Sequence, residues 1–418
     1  MLSIDGVNFK FTRWPLPNRP PDPVRRSPEM WRQTVLKAPP SNLSSNSPAL
    51  TKYWDKIELV ENRTKIFRPQ NFLKNQEHKD PALVEAFKTP SPGAGKFLLH
   101  YAPGWNKGTK PYPVLLVTGA RHNANIWLDP SQDGKKLGLA QTLVDQGFKV
   151  FAITFPHPHG DNYYWAQNIA DAVKKIRGVT GAEKVDIIAH SKGGIAARAY
   201  VSDMKDEGMD SYQKDVRRLV LVGTPNLGLD YPFRHPANNY AFWPEREDPW
   251  YDAPMCWNKI LYGGKWENSE RLSLYTKAGN YFPGQAQLLS PLSSQHPLSM
   301  LEPDWFTTYY GGRGFVSVSK GIKEAAREGG DFMAGLAGKP VDPSVEVAVL
   351  AGSRADIPFV HNEHDGPSDG IVFTDSAGHT ENLTKGGARL LKKTLLPLNH
   401  VELVYDKQAK QWILDALA

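Results

Sequence analysis

Cysteine is nearly missing from this chain of 418 residues: Cys256 stands alone, so no intrachain disulfide can form and packing must hold the fold. Long apolar runs are missing as well. Stretches such as Val114–Val117 and Leu219–Val222 fall far short of the ~18 residues expected of a membrane span. The opening Met-Leu-Ser-Ile-Asp-Gly-Val-Asn has neither the basic nor the apolar region of a secretory leader. Charge of one sign is not in large excess. The 50 basic and 44 acidic side chains leave a formal +6, scattered along the chain rather than blocked, which argues against nucleic-acid binding. Glycine and proline, 35 and 34 residues, are too few and too aperiodic for a collagenous or low-complexity chain, and 40% hydrophobic content excludes disorder.

What is present is more length than one average domain of ~100 to 200 residues uses, so either two domains or one large α/β domain with insertions is expected. The first 50 residues hold nine prolines without helical or alternating periodicity and read as an extended arm. Residues 56–61, 64–67 and 96–101 alternate like strands of an antiparallel start to a sheet. From Pro111 the pattern changes. Continuous apolar runs at 114–119, 148–155, 185–189, 219–223 and 345–350 read as strands buried on both faces. Helical periods lie between them at 137–146, around Trp165, Ile169, Val173 and Ile176, and at 193–204. Strand and helix in alternation predict a doubly wound, mostly parallel sheet. Residues 394–405, broken by Pro397, read as a last strand and turn, and 407–417 as a closing helix.

The most informative stretch is Ala189-His190-Ser191-Lys192-Gly193-Gly194, which places a serine at a strand-to-helix junction with small residues two before and two after it. A turn that sharp holds the serine at an unusual backbone angle and leaves no room for larger neighbours. The following helix aims its first amides at the site, so the Lys192 N–H can stabilise an oxyanion. The alternative is a serine acting only as a helix N-cap.

This block resembles the α/β-hydrolase superfamily, and within it the bacterial lipases and related carboxylesterases. The likeness covers Pro111 to about Leu229 and Val345 to about Tyr405. Two further blocks carry it: Gly223-Thr224-Pro225-Asn226-Leu227-Gly228, and Asp365-Gly366-Pro367-Ser368-Asp369-Gly370-Ile371-Val372 with Leu398-Asn399-His400. Asn226 stands where such lipases commonly have His. The resemblance implies an α/β-hydrolase fold with a nucleophilic Ser191 and, in chain order, an acid and then a histidine. By position the base is one of His361, His364, His379 and His400. The loop after the last strand favours His400, with His379 as rival. For the acid the lipase-like Asp-Gly-Ile-Val favours Asp369, with Asp365 next, then Asp356 and Glu363. Matching residue to residue, the backbone N–H of Ala120 faces that of Lys192, although Thr118 replaces the usual His before Gly119.

The expected organisation is an arm and first strands (1–110), a core in two halves (111–228 and 345–418), and an aromatic-rich insertion (229–344) capping the site, with Leu288–Leu292 as a mobile lid element. The expected activity is a lipase-like carboxylic ester hydrolase acting on acylglycerols or other apolar esters through an acyl-enzyme. A short-chain or polyester carboxylesterase, or an acyltransferase, is the alternative. No cofactor and no metal are expected. His157, His159 and Asp161 are weighed as zinc ligands, Asp129 to Asp133 and Glu402 as calcium ligands, and all are set aside. The Lys192 side chain is expected in solvent. Ester substrate is the expected partner, with lipid contact through the cap. Because related lipases are often exported, secretion with a leader already removed is favoured over the cytoplasm.

Overall fold

The computed structural model describes residues 53–130, 136–237, 254–276 and 280–418. The proline-rich arm of the first 50 residues, Asp133, Trp243 and Trp250 lie outside the described residues.

The apolar runs form one eight-stranded sheet. In chain order its strands are β1 (Lys56–Glu61), β2 (Lys96–Tyr101), β3 (Val114–Val117), β4 (Val150–Thr154), β5 (Val185–His190) and β6 (Val216–Val222). Between β6 and the remaining strands, the insertion contributes β7 (Lys259–Tyr262), β8 (Lys265–Asn268), β9 (Gly312–Arg313) and β10 (Ser317–Ser319) as a separate sheet. The large sheet is completed by β11 (Glu346–Gly352) and β12 (Arg389–Leu396). Its spatial order is β1, β2, β4, β3, β5, β6, β11, β12. Only the β1/β2 and β2/β4 pairs are antiparallel; every other pair is parallel. An order of this kind, with the second strand reversed and the third and fourth exchanged, is the α/β-hydrolase fold.

Two buried faces follow from the alternation of side chains along each strand. On one, Ile187 and Ala189 of β5 pack with Trp165, Val173 and Ile176 of the helix Asn162–Thr180 and with Ile195 and Ala199 of the helix Lys192–Val201. Phe332 and Leu336 of the helix Phe332–Gly338 join the same cluster. On the other, Ile188 packs with Leu143 of the helix Leu139–Asp145 and with Trp412 and Ile413 of the helix Lys407–Leu417. The insertion has its own core around Trp257, Ile260, Tyr275 and Phe282. Cys256 is buried in that core, where desolvation pushes its thiol well above the ordinary range.

Two sequence expectations change. Residues 64–67 form no strand: the chain leaves the sheet after Glu61, and Phe67 packs edge-on against Tyr164 of the helix Asn162–Thr180 instead. The last strand runs over Arg389–Leu396 rather than from 394. It is an edge strand on which no residue is fully buried, so the burial signal that betrays inner strands is absent there. Pro397, which cannot donate to a ladder, follows its end.

Candidate active site

Ser191 sits between β5 and the helix Lys192–Val201 at φ 53° and ψ −131°, a backbone region that non-glycine residues occupy only where the surroundings enforce it. The enforcement is steric. A Cβ on Gly193 would lie 2.1 Å from the carbonyl oxygen of Thr118, and one on Gly194 would lie 1.9 Å from the hydroxyl of Thr224. The helix therefore seats against the ends of β3 and β6 only because both positions are glycine.

His400 follows β12 and reaches back across the strand ends. Its Nε2 is 2.9 Å from the Ser191 Oγ, and its Nδ1 is 2.7 Å from the Asp369 Oδ2. The backbone N–H of His400 also donates to the Asp369 carbonyl at 2.8 Å. Asp369 is fully buried, and its Oδ1 accepts from the amides of Ile371 (3.1 Å) and Val372 (2.8 Å). Hydroxyl, imidazole and carboxylate thus stand in one hydrogen-bonded line. The amides of Ala120 and Lys192 make no hydrogen bond among the described residues, and both residues line the cavity above Ser191.

The competing candidates are engaged elsewhere. His379 takes the Asn382 amide on its Nε2 at 3.3 Å. Asp365 pairs with Arg234 at 3.0 Å, and Asp356 with Arg354 at 2.7 Å. Glu363 accepts from His235 at 3.1 Å. His361 and His364 are exposed loop residues. Glu402 bonds Arg354 and the Asn399 amide. Of the histidines weighed for zinc, His157 bonds the Asn71 carbonyl and takes the His159 amide, His159 pairs with Gln285, and Asp161 caps the helix Asn162–Thr180. In the Leu288–Leu292 segment the Leu229 amide donates to the Leu288 carbonyl at 3.0 Å and the Ser290 amide to the Leu229 carbonyl at 3.1 Å.

Both chain neighbours of Ser191 are buried. His190 is buried, and its Nε2 meets the His400 carbonyl at 3.0 Å; burial and then the adjacent His400 hold it well below the ordinary histidine range. Facing a carbonyl, Nε2 carries its proton as a donor, and the ring supports the loop that holds His400. Lys192 is the surprise. Its side chain is 1% exposed, with Nζ 3.1 Å from the centre of the Trp165 ring and no hydrogen-bond partner among the described residues. Gly284 of the insertion closes over it, since a Cβ there would lie 2.4 Å from the Lys192 Cε. Burial holds this amine well below its ordinary value of 10.5, with Asp161 opposing. The unfolded chain keeps a proton that the folded chain releases, so stability should climb as pH rises toward the ordinary lysine value, by at most ~1.4 kcal/mol per pH unit. Lys192→Met keeps the backbone amide and should flatten that climb while raising stability at neutral pH. Urea midpoints at pH 7 and pH 9 measure both.

The cavity above Ser191 has a volume of about 250 Å³ and is walled by Leu229, Pro232, Leu288, Ile357, Val360 and Ile371. A more polar recess of about 390 Å³, lined by Arg68, Asp161, Asn280 and Glu328, contains none of Ser191, His400 or Asp369.

Among solved structures, the chain is similar to a Bacillus licheniformis lipase in its mature form, at 14% identity over 77% of this chain and 98% of that one, with a TM-score of 0.44. It is also similar to a Bacillus subtilis carboxylesterase, at 11% identity over 88% and 95% of the two chains, with a TM-score of 0.36. Superpositions this loose carry no weight of their own. Residues 111–231, the segment holding β3 to β6 and the serine turn, match the family described as lipase (class 2). The strand order is that of the α/β-hydrolase fold, and the segment holding the serine turn is similar to the lipase (class 2) family, which together support a carboxylic ester hydrolase.

Proposed function

We propose that the chain hydrolyses apolar carboxylic esters with Ser191 as nucleophile, through an acyl-enzyme. The observation that carries this reading is the line from Ser191 Oγ to His400 Nε2 (2.9 Å) and from His400 Nδ1 to Asp369 Oδ2 (2.7 Å). His400 takes the Ser191 proton as Oγ attacks the ester carbonyl, and Asp369 holds the imidazole in the tautomer that can accept it. The amides of Ala120 and Lys192 donate to the oxyanion of the tetrahedral intermediate. His400 then gives its proton to the departing alcohol. Water repeats the sequence to free the acid and regenerate Ser191.

The apolar walls favour a hydrocarbon acyl group, acylglycerols included. The volume favours a second reading within the same chemistry. About 250 Å³ is at or below the small end of the roughly 300–1,000 Å³ usual for ligand pockets, which supports short to medium acyl chains over long ones. Hydrolysis of p-nitrophenyl esters of graded length should therefore peak at short or medium acyl groups and fall for palmitate. A fluorophosphonate probe should label the protein at Ser191, as mapped by peptide mass spectrometry. Failure to label would overturn the nucleophile, whereas labelling with a palmitate optimum would overturn only the chain-length reading.

A further inference from the structure

A second cluster of chemistry-bearing side chains lies where the insertion leaves the core. His235 caps the short helix Tyr231–Arg234. Its Nδ1 is 3.4 Å from the Glu302 Oε1, and the Nε2 of His361 is also 3.4 Å from that oxygen. The three ligand atoms all lie within 4.8 Å of one another. A charge-assisted imidazole–carboxylate hydrogen bond closes to about 2.7–2.9 Å, and at 3.4 Å both contacts are long ones. Tetrahedral zinc, with ligand distances of about 2.0–2.2 Å, sets its ligand atoms apart by roughly 3.3–3.5 Å.

Three further observations point to a cation. The second oxygen of Glu302, Oε2, is buried with no hydrogen-bond partner among the described residues, a costly state for a carboxylate unless something binds it. The remaining nitrogen of His235, Nε2, meets the Glu363 Oε2 at 3.1 Å, the outer carboxylate that a metal-bound imidazole usually has. Carboxylates are also in excess: Asp230, Glu363 and Asp365 lie around the guanidinium of Arg234, while Glu302 faces only the two imidazoles among the described residues. His361 is 42% exposed, which leaves an entry path and room for water as a fourth ligand.

We propose that His235 Nδ1, His361 Nε2 and the Glu302 carboxylate form a zinc site. Two imidazoles favour zinc over calcium or magnesium, which take oxygen ligands. The place of the site in the fold gives the cation a task. Just beyond His361, the Glu363 amide donates to the Gly370 carbonyl at 2.8 Å, next to Asp369. The hydroxyl of Tyr231, a residue lining the cavity, donates to the His361 carbonyl. A bound ion would therefore tie the start of the insertion to the loop that carries Asp369. The rival occupant is a proton: burial lowers His235, but hydrogen bonds to Glu302 and Glu363 outweigh it and lift the imidazole to about 9.

The full-length protein, stripped with a chelator and titrated with zinc chloride by calorimetry at pH 8, should bind one equivalent. Cobalt(II) in its place should give the visible absorption of a tetrahedral ion. His361→Ala, at an exposed position, and Glu302→Gln should each weaken zinc binding by at least tenfold and remove the cobalt spectrum. Zinc should raise the melting temperature of the unaltered protein and leave that of His361→Ala unmoved. Fluorophosphonate labelling of both variants checks that they are folded. Absence of stoichiometric zinc binding by the unaltered protein, or equal affinity in folded His361→Ala and Glu302→Gln, overturns the site in favour of a proton-bridged cluster.

Discussion

Ser191→Ala should lower kcat for p-nitrophenyl ester hydrolysis by on the order of 10⁵-fold or more, the scale seen when the nucleophile of a serine–histidine–aspartate hydrolase is removed. The walls of the cavity, Leu288 and Ile371 among them, do not involve the hydroxyl, so KM should change little. What remains should come from binding and from the amides proposed for the oxyanion, those of Ala120 and Lys192, which the substitution leaves in place. Alanine is also the mildest replacement at φ 53°, since it keeps the Cβ that the turn already accommodates and removes only Oγ. A urea midpoint close to that of the unaltered protein would separate lost chemistry from lost fold. Activity retained within tenfold would reject Ser191 as nucleophile.

That serine was legible because the turn that exposes it is written locally. Ala189, Gly193 and Gly194 surround it within the same short stretch, and the contacts that forbid larger residues there come from β3 and β6, themselves plain as apolar runs. The inner strands were readable for the same reason: buried on both faces, they carry no polar alternation to confuse them. The edge strand Arg389–Leu396 lacks that signal and begins earlier than its sequence suggests. Lys192 shows a different limit. A lysine at the start of a helix reads as solvated, yet Trp165 from a neighbouring helix and Gly284 from the insertion enclose it. His235, Glu302, His361 and Glu363 likewise come from three separate stretches of chain, and no spacing along the sequence announces their meeting. Sequence pattern reports what a segment does for itself; it is silent where distant segments bury each other's charges.

Asp369→Asn should lower kcat by on the order of 10⁴-fold, as loss of the tautomer-fixing carboxylate does in other serine hydrolases. The structure indicates why the nearly isosteric amide fails. Oδ1 of Asp369 accepts from the amides of Ile371 and Val372, so an asparagine must put its carbonyl oxygen there. Its NH₂ group then occupies the place of Oδ2, 2.7 Å from the His400 Nδ1. Two donors cannot face each other, and Nδ1 must give up its proton and accept. The proton moves to Nε2, which now donates to the Ser191 Oγ instead of accepting from it, and the general base is lost while every heavy atom stays in position. Asp365→Asn supplies the contrast. Asp365 pairs with Arg234 and the Ser299 amide and touches neither His400 nor Ser191, so its kcat should stay within about threefold. The reverse outcome, a large loss for Asp365→Asn and less than tenfold for Asp369→Asn, would transfer the role of acid from one aspartate to the other.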